Sequence, residues 1–423
     1  MKRNARVVIL LFLVYPFISF SQTNHQSLNY LYNITGKSVL AGQEAMQYWE
    51  PMHDVTGKYP ALFGEDLSFS PWQGTSTMDE WRGLVVSKIK TRWNEGAVIS
   101  LMFHSCPPTQ AEPCDWDSGI KGELTDTQWT ELITDGTTMN NNWKARLDII
   151  SVYLQELKDA GIEVLFRPLH EMNQGAFWWG GRPGPNGTAK LYQITHDYLV
   201  NQKGLTNLIW VWDLQDFSTI ADDINNYDPG SDYWDVLALD IYYSDGSGFT
   251  VTKYNLISAK AGNKPIAIGE CGTLPTVAQL VAQPKWTFFM GWAELTQQQN
   301  TNNSLSLLYN SIRVTSLDEM PGWAPSDVEE TTVPLPAGFG LMQNYPNPFN
   351  PATNIKYRIT EEGFVTLKVY DTLGREVAML VNEEKQPGEY STCFNASFLA
   401  SGVYCCRLEC NNKISVNKMI LEK

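Results

Sequence analysis

A carboxyl group placed to give up a proton and a second placed to attack carbon can both be read from this chain. The first stands in residues 166–181, FRPLHEMNQGAFWWGG, where Arg167, His170 and Glu171 close an apolar, β-branched run and Phe177, Trp178 and Trp179 follow at once. A histidine and a wall of indoles can hold a proton and raise a carboxyl pKa, which suits protonation of a glycosidic oxygen. The bland alternative is an ion pair between Arg167 and Glu171. On a strand, residues 167, 169 and 171 share one face, so Arg167, Leu169 and Glu171 are expected to look the same way.

The second carboxyl is Glu270 in KPIAIGECG, an apolar strand that carries a single acid to its end. It either does chemistry or caps a following helix. Two carboxyl groups about 5 to 5.5 Å apart permit double displacement through a glycosyl-enzyme, whereas a wider gap favours inversion. Glu65, Asp66, Asp213 and Asp240 are competing acids. Asp240 and Tyr242 would suit steadying the attacking carboxylate, the phenol donating to its oxygen; a tyrosine satisfied in the core is the alternative. His104 is either functional or a core histidine bonded to backbone. His104, Cys106, Cys114 and Asp115 lack the C-x-x-C or H-E-x-x-H spacing of a zinc site, so no metal is expected and a Cys106–Cys114 disulfide is. Trp178, Trp179 and Trp292 either pack a core or, beside candidate acids, offer flat faces to sugar rings.

The elements that must position these groups alternate between short apolar strands and helical periodicity. Strands are expected at 38–43, 61–66, 97–104, 163–171, 207–213, 235–242, 264–270 and 285–292, and helices most clearly at 79–94, 143–160, 189–201 and 303–314. Eight such units imply an α/β fold, a (β/α)8 TIM barrel over 28–323, whose chemistry sits at the C-terminal strand ends. Gln43, Glu65 with Asp66, His104, Glu171, Asp213, Asp240 with Tyr242, Glu270 and Trp292 stand at those ends. After a Pro- and acid-containing linker (324–340), the text turns to alternating strands and Gly-centred turns over 341–423, the pattern of a small all-β, immunoglobulin-like sandwich.

Composition narrows the partners. A net charge of −15 argues against nucleic acid, which demands clustered Lys and Arg, while 12% aromatic residues suit neutral polysaccharide. Lys2, Arg3 and Arg6 precede an apolar run (7–18) and small residues, which predicts a signal peptide over 1–21. No other stretch approaches the roughly 20 apolar residues of a membrane helix, so no transmembrane segment is expected in the mature chain. An odd cysteine count leaves at least one thiol unpaired within the chain.

On these residues the chain resembles glycoside hydrolase family 26, best known for endo-β-1,4-mannanases, over roughly 28–323. The family's acid/base glutamate follows a histidine in an Arg-Pro-x-His-Glu strand, matched by Arg167, Pro168, His170 and Glu171, and its nucleophile is matched by Glu270. The resemblance carries a substrate-contacting histidine onto His104, an Asp-x-Tyr pair onto Asp240 and Tyr242, and the tryptophan under the cleaved sugar onto Trp292. It implies a secreted, retaining endo-β-1,4-mannanase with no cofactor. Glu171 and Glu270 are the catalytic pair, and His104, Arg167, His170, Trp178, Trp179, Asp240, Tyr242 and Trp292 bind β-mannan or a related polysaccharide. Many mannanases of the family place Trp five residues after the acid/base; here Ala176 stands there, and a β-1,3-xylanase or mixed-linkage β-glucanase is the sister expectation. A barrel that binds glycan without cutting it is the expectation from another class. The C-terminal segment, with NYPNPFNP, VYDTLGREV, LASGVY and KMILEK, resembles the sorting domain of type IX secretion cargo, which implies passage through that machinery and release or surface attachment.

Overall fold

A computed structural model describes residues 23–68, 77–323 and most of 339–422. The expected signal peptide and nearly all of the expected linker lie outside the described residues. The described chain divides into two compact units, one ending at Ser326 and one beginning at Asp327.

In the first unit eight parallel strands close on themselves: β1 (Val39–Glu44), β2 (Leu62–Asp66), β3 (Val98–Phe103), β4 (Val164–Pro168), β5 (Leu208–Gln215), β6 (Val236–Ile241), β7 (Ile266–Cys271) and β8 (Trp286–Gly291). Each pairs with its neighbour in sequence and β1 pairs with both β8 and β2; a short ninth strand, β9 (Val314–Thr315), lies along β1. This is the expected (β/α)8 barrel. Its strands read as unbroken apolar runs because both faces are covered. Leu40, Leu62, Val98, Leu165, Ile209, Val236 and Phe288 share one interior cluster, whereas Phe63, Phe166, Trp212 and Leu239 pack in a separate cluster with helix residues such as Val85, Trp143 and Leu147.

Leu28, Leu31 and Ile34, on one face of the helix Gln26–Ile34, join the interior cluster. Glu163, just before β4, accepts the first amides of that helix, from Gln26 (2.7 Å) and Ser27 (2.8 Å), a carboxylate placed where the helix dipole favours it. Truncating the wholly buried Leu31 to Ala would cost about 2–5 kcal/mol through lost transfer energy and an unfilled cavity.

Two differences from the expected elements bear on the site. Strand β4 stops at Pro168, not at residue 171, because Leu169 (φ 55°) and Glu171 (φ 49°) take left-handed backbone that no strand tolerates. Leu169 consequently turns into the outer core rather than sharing a face with Arg167 and Glu171. Strands β1 and β5 run further than expected and so add Glu44 and Gln215 to the mouth.

In the second unit β10 (Gly340–Leu341), β11 (Ala352–Ile359) and β14 (Gly388–Asn395) form one antiparallel sheet. The other contains β13 (Glu376–Lys385), β12 (Gly363–Asp371), β15 (Gly402–Cys410) and β16 (Lys413–Leu421) in that spatial order. Alternate residues from both sheets, among them Ile355, Tyr357, Leu367, Val369, Phe394, Leu408 and Met419, fill a common core, which makes the unit a sandwich.

Candidate active site

The floor of the barrel mouth is a charge cluster centred on Arg167. From β4 its guanidinium reaches Asp213 of β5 through Nε (2.7 Å) and Nη2, Asp240 of β6 (3.1 Å) and Glu270 of β7 (3.0 Å). Parallel pairing sets Asp240 directly beside Glu270. Gly269 leaves room for the two aspartates: a Cβ there would stand 2.4 Å from Asp240 Oδ1 and 2.7 Å from Asp213 Oδ2. Arg167 is only 1% exposed, and a buried guanidinium is tolerable because three carboxylates surround it.

Each oxygen of Glu270 has its own donor, Arg167 Nη2 on Oε1 and Tyr242 Oη on Oε2 (2.9 Å). Burial pushes the Glu270 pKa up, but Arg167 foremost, then His104 and the Tyr242 hydroxyl, pull it back. Glu171 differs. Burial, then the charges of Glu270 and Asp213, drive its pKa well above the ordinary carboxylate range, with Arg167 a weaker counterweight. Oxygens of Glu171, Asp240 and Glu270 lie within 4.8 Å of one another. Both carboxyl groups are raised, but Glu171 is the one driven further toward holding a proton, while Glu270 is the one clamped by donors on both oxygens. Three such oxygens can also hold a metal ion, but Arg167 already supplies positive charge in their midst.

Glu171 reaches this position through the turn after β4, fastened by Met172 N–H to Asp213 O (3.3 Å). Five of the six described non-glycine residues with positive φ, namely Ala45, Leu169, Glu171, Tyr243 and Ala293, sit just past the ends of β1, β4, β6 and β8. Backbone strain is thus concentrated at the mouth, as at functional sites generally. Gln215, which the sequence reading passed over, contacts Glu171 once its amide is turned to satisfy its neighbours: Nε2 then donates to Glu171 Oε1 (2.9 Å) and Asp240 O (3.1 Å), while Oε1 accepts from Ser244 Oγ.

The expected sugar-contacting residues divide into two groups. His104, Tyr242 and Trp292 stand around the pair: Tyr242 and Trp292 are half-buried, and the His104 ring lies 6.4 Å from Trp292 and 5.4 Å from Trp116. Asp66 holds the His104 ring through Nδ1 at 2.5 Å. Trp178 and Trp179 correct the expectation of sugar platforms, for they are 2% and 0% exposed with no face left for a ligand. Their indole N–H groups instead donate to Ser105 O (2.7 Å) and His170 O (3.0 Å), fixing the loops behind the cleft. Arg167 and Asp240 are likewise buried and bonded to each other, and Arg167 also holds Glu270, so neither turns a free polar group to open space. His170, expected to hold a proton beside Glu171, is buried; that burial, with the charges of His104 and Arg167, lowers its pKa well below the usual value, and its Nδ1 has no protein partner.

The expected Cys106–Cys114 disulfide is formed and closes the loop after β3. Glu112 in that loop is held by Arg82 (2.6 Å) and Arg146 (3.4 Å), which anchors the segment leading to Trp116.

Comparison with known proteins follows the same division. Residues 19–319 match Glycosyl hydrolase family 26, and residues 343–422 match the secretion system C-terminal sorting domain, which marks a secreted or cell-surface protein. A mannan endo-1,4-beta-mannosidase of Thermothelomyces thermophilus is 34% identical over 311 residues, covering 70% of this chain and 61% of that protein. Mannan endo-1,4-beta-mannosidase A and B of Caldalkalibacillus mannanilyticus is 28% identical over 348 residues, covering 72% and 65%. The chain thus spans less than two thirds of the length of either relative. Among solved structures, GH26A from Muricauda sp. MAR_2010_75 superposes with a TM-score of 0.64 at 32% identity, over 69% of this chain and 95% of that one. A beta-mannanase from a symbiotic protist of the termite Reticulitermes speratus, complexed with gluco-manno-oligosaccharide, gives 0.61 at 28%, over 71% and 95%.

Proposed function

Because the chain belongs to glycosyl hydrolase family 26, we propose that it is a retaining endo-β-1,4-mannanase acting on mannan, glucomannan or galactomannan outside the cell. Glu171 gives its proton to the glycosidic oxygen as that oxygen leaves, and a Glu270 oxygen forms a bond to the anomeric carbon from the opposite face. The Glu171 carboxylate then takes a proton from water, whose oxygen attacks the same carbon and frees Glu270 with the original configuration restored.

The observation that carries this reading is the close approach of two unlike carboxyl groups: oxygens within 4.8 Å, one group driven by burial and neighbouring charges toward holding a proton, the other clamped by Arg167 and Tyr242. So close an approach fits attack by the carboxylate itself better than the roughly 6.5–9.5 Å gap between carboxyl groups in inverting enzymes. Mannan-type substrate is supported by the relatives named above. The C-terminal sandwich is read as the element handed to the type IX secretion machinery.

A hydrolysis panel tests the reading. Reducing sugar released from mannan and glucomannan, with at least tenfold lower rates on β-1,3-xylan and lichenan, is expected. Preference for either of the last two would keep the mechanism and replace the substrate; no release from any would leave a glycan-binding barrel.

A further inference from the structure

A lysine is buried beside the mouth in a place where the proposed reaction has no use for one. Lys253, on the helix Val251–Ala261 that follows β6, is 4% exposed, and its Nζ donates to Asp216 Oδ2 (2.9 Å) and Asp245 Oδ1 (2.7 Å). Lysine is seldom buried so fully unless it is paired, because its desolvation must be offset. Asp216, wholly buried just past β5, accepts on its other oxygen from two backbone donors, Tyr242 N–H (3.3 Å) and Ser244 N–H (3.1 Å). Its own N–H donates to Asp240 O (3.0 Å). One carboxylate thus stitches the end of β5 to the turn after β6, gripping it on both sides of Tyr243, whose φ of 61° is left-handed.

That turn carries what holds the two glutamates. Tyr242 Oη donates to Glu270 Oε2 (2.9 Å). Ser244 Oγ donates to Gln215 Oε1 (2.8 Å), which leaves the other end of that amide, Nε2, facing Glu171 Oε1 (2.9 Å) and Asp240 O (3.1 Å). The turn therefore reaches both carboxyl groups, one through a phenol and the other through an amide. Hydrogen bonds donated to a carboxylate favour its anion, so these contacts work against the burial that raises both pKa values.

We infer that the buried Lys253–Asp216 pair is a positioning device for the reaction: by fixing residues 242–244 it sets Tyr242 on Glu270 and, through Ser244 and Gln215, an amide donor on Glu171. The inference rests on the hydrolase reading above and deepens it, giving positioning roles to Lys253, Asp216, Ser244 and Gln215. An ion pair that only stabilised the barrel would have no need of the two backbone amides, and these are what couple Asp216 to the turn.

Carboxyl ¹³C NMR titration of the full chain labelled at glutamate, with signals assigned through Glu171→Gln and Glu270→Gln, reads the device without any substrate. Ser244→Ala removes only the hydroxyl on Gln215 and should raise the apparent pKa of Glu171 by about half a unit while Glu270 stays in place. The charges that face the pair, Arg167 from β4, Asp213 and Asp216 from the end of β5, Asp240 from β6 and His104 from the end of β3, are all kept in that variant. Its shift therefore reports position and not lost charge. Lys253→Met, which releases the whole turn, should raise both carboxyl groups, lower kcat on mannopentaose about tenfold with KM within about twofold, and move both limbs of kcat/KM to higher pH. Leu31→Ala, which weakens the interior cluster instead, should lower Tm and move neither carboxyl group. A Glu171 titration unmoved in Ser244→Ala overturns the inference, and so does a Glu270 titration unmoved in a folded Lys253→Met; should Lys253→Met fail to fold, Ser244→Ala decides. If the carboxyl groups move as expected and the wild type cleaves none of the panel glycans, the linkage to the glutamates stands and the hydrolase reading alone falls.

Discussion

The barrel mouth and the C-terminal sandwich bury opposite kinds of side chain. At the mouth Arg167, Glu171, Asp213, Asp240 and Glu270 are each 5% exposed or less, whereas the sandwich core is apolar apart from groups such as Asn344 and Thr353. The ion pairs of the sandwich, such as Lys368–Glu376, Lys385–Glu383 and Lys413–Glu361, join exposed acids to partly or fully exposed lysines, where solvent screens them. Burying charge costs several kcal/mol per ion unless it is paired, so a fold concentrates it where it alters chemistry. The sandwich carries no such cluster among the described residues and leaves Phe364, Leu373, Met379, Ile414 and Val416 exposed, which suits a unit recognised by its surface. Chemistry and sorting are therefore separable.

The sharpest break in that comparison comes from the proposed catalytic pair. Glu270→Ala should lower kcat on mannan by about 10⁴-fold or more, since no second nucleophile faces the anomeric carbon; a loss under tenfold would remove Glu270 from the mechanism. Glu171→Ala should cost about 10²- to 10⁴-fold on mannan but far less on aryl glycosides with activated leaving groups, which depart without a proton. Equal losses on both would give Glu171 a structural role only. In the wild type, activity should persist above the ordinary carboxylate range and fall as pH rises through the elevated Glu171 pKa, because only the protonated acid can donate.

Arg167 tests whether the buried charges act as a unit. Arg167→Lys keeps a positive charge but loses the fork that reaches three acids. Glu270 then loses the foremost influence lowering its pKa, so the acidic limb of kcat/KM should move to higher pH. Complete removal in Arg167→Met should destabilise the barrel by about 3–5 kcal/mol by leaving buried acids unpaired. An unmoved acidic limb in the lysine variant would mean that Arg167 is structural alone.

How far the site was legible depended on whether a residue lies on a strand. Glu270 and Asp240 end apolar strands whose register the alternation of elements makes predictable, and both stand where the sequence placed them. Glu171 also reaches the mouth, but by a positive-φ turn that no periodicity announces, and this is why the two-residue period of a strand placed Leu169 on the wrong face. Trp178 and Trp179 looked like sugar platforms because sequence shows proximity to acids and not which side of a loop an indole faces; their N–H groups point to Ser105 and His170 instead. Glu44 and Gln215 were missed because each lies one or two residues past the expected strand end, and strand ends are the least determined part of an apolar run.

Two smaller effects refine the comparison. A chain ending at Ser326, the last residue of the first unit, should keep kcat on soluble mannan within about twofold, while loss of the sandwich should strand the enzyme in the periplasm of a host with the matching secretion system. Unfolding of the shortened chain, or its normal export, would each contradict the separation. Within the barrel, burial raises the Glu65 pKa from 4.5 to about 8, against the pull of backbone donors at Met46 and Asp66. A folded pKa above the unfolded one favours folding most at low pH, and that contribution is lost between pH 4.5 and about 8. Glu65→Gln should accordingly show a smaller drop in Tm between pH 5 and pH 8.5 than the wild type; an equal drop would place the titration elsewhere.

The central claim is that two unlike carboxyl groups act in sequence on one anomeric carbon, and the stereochemistry of the first product tests it most directly. Proton NMR of mannopentaose hydrolysis, recorded before mutarotation equalises the anomers, should show the β anomer of the new reducing end appearing first. Initial appearance of the α anomer would contradict double displacement and require a water molecule between Glu171 and Glu270.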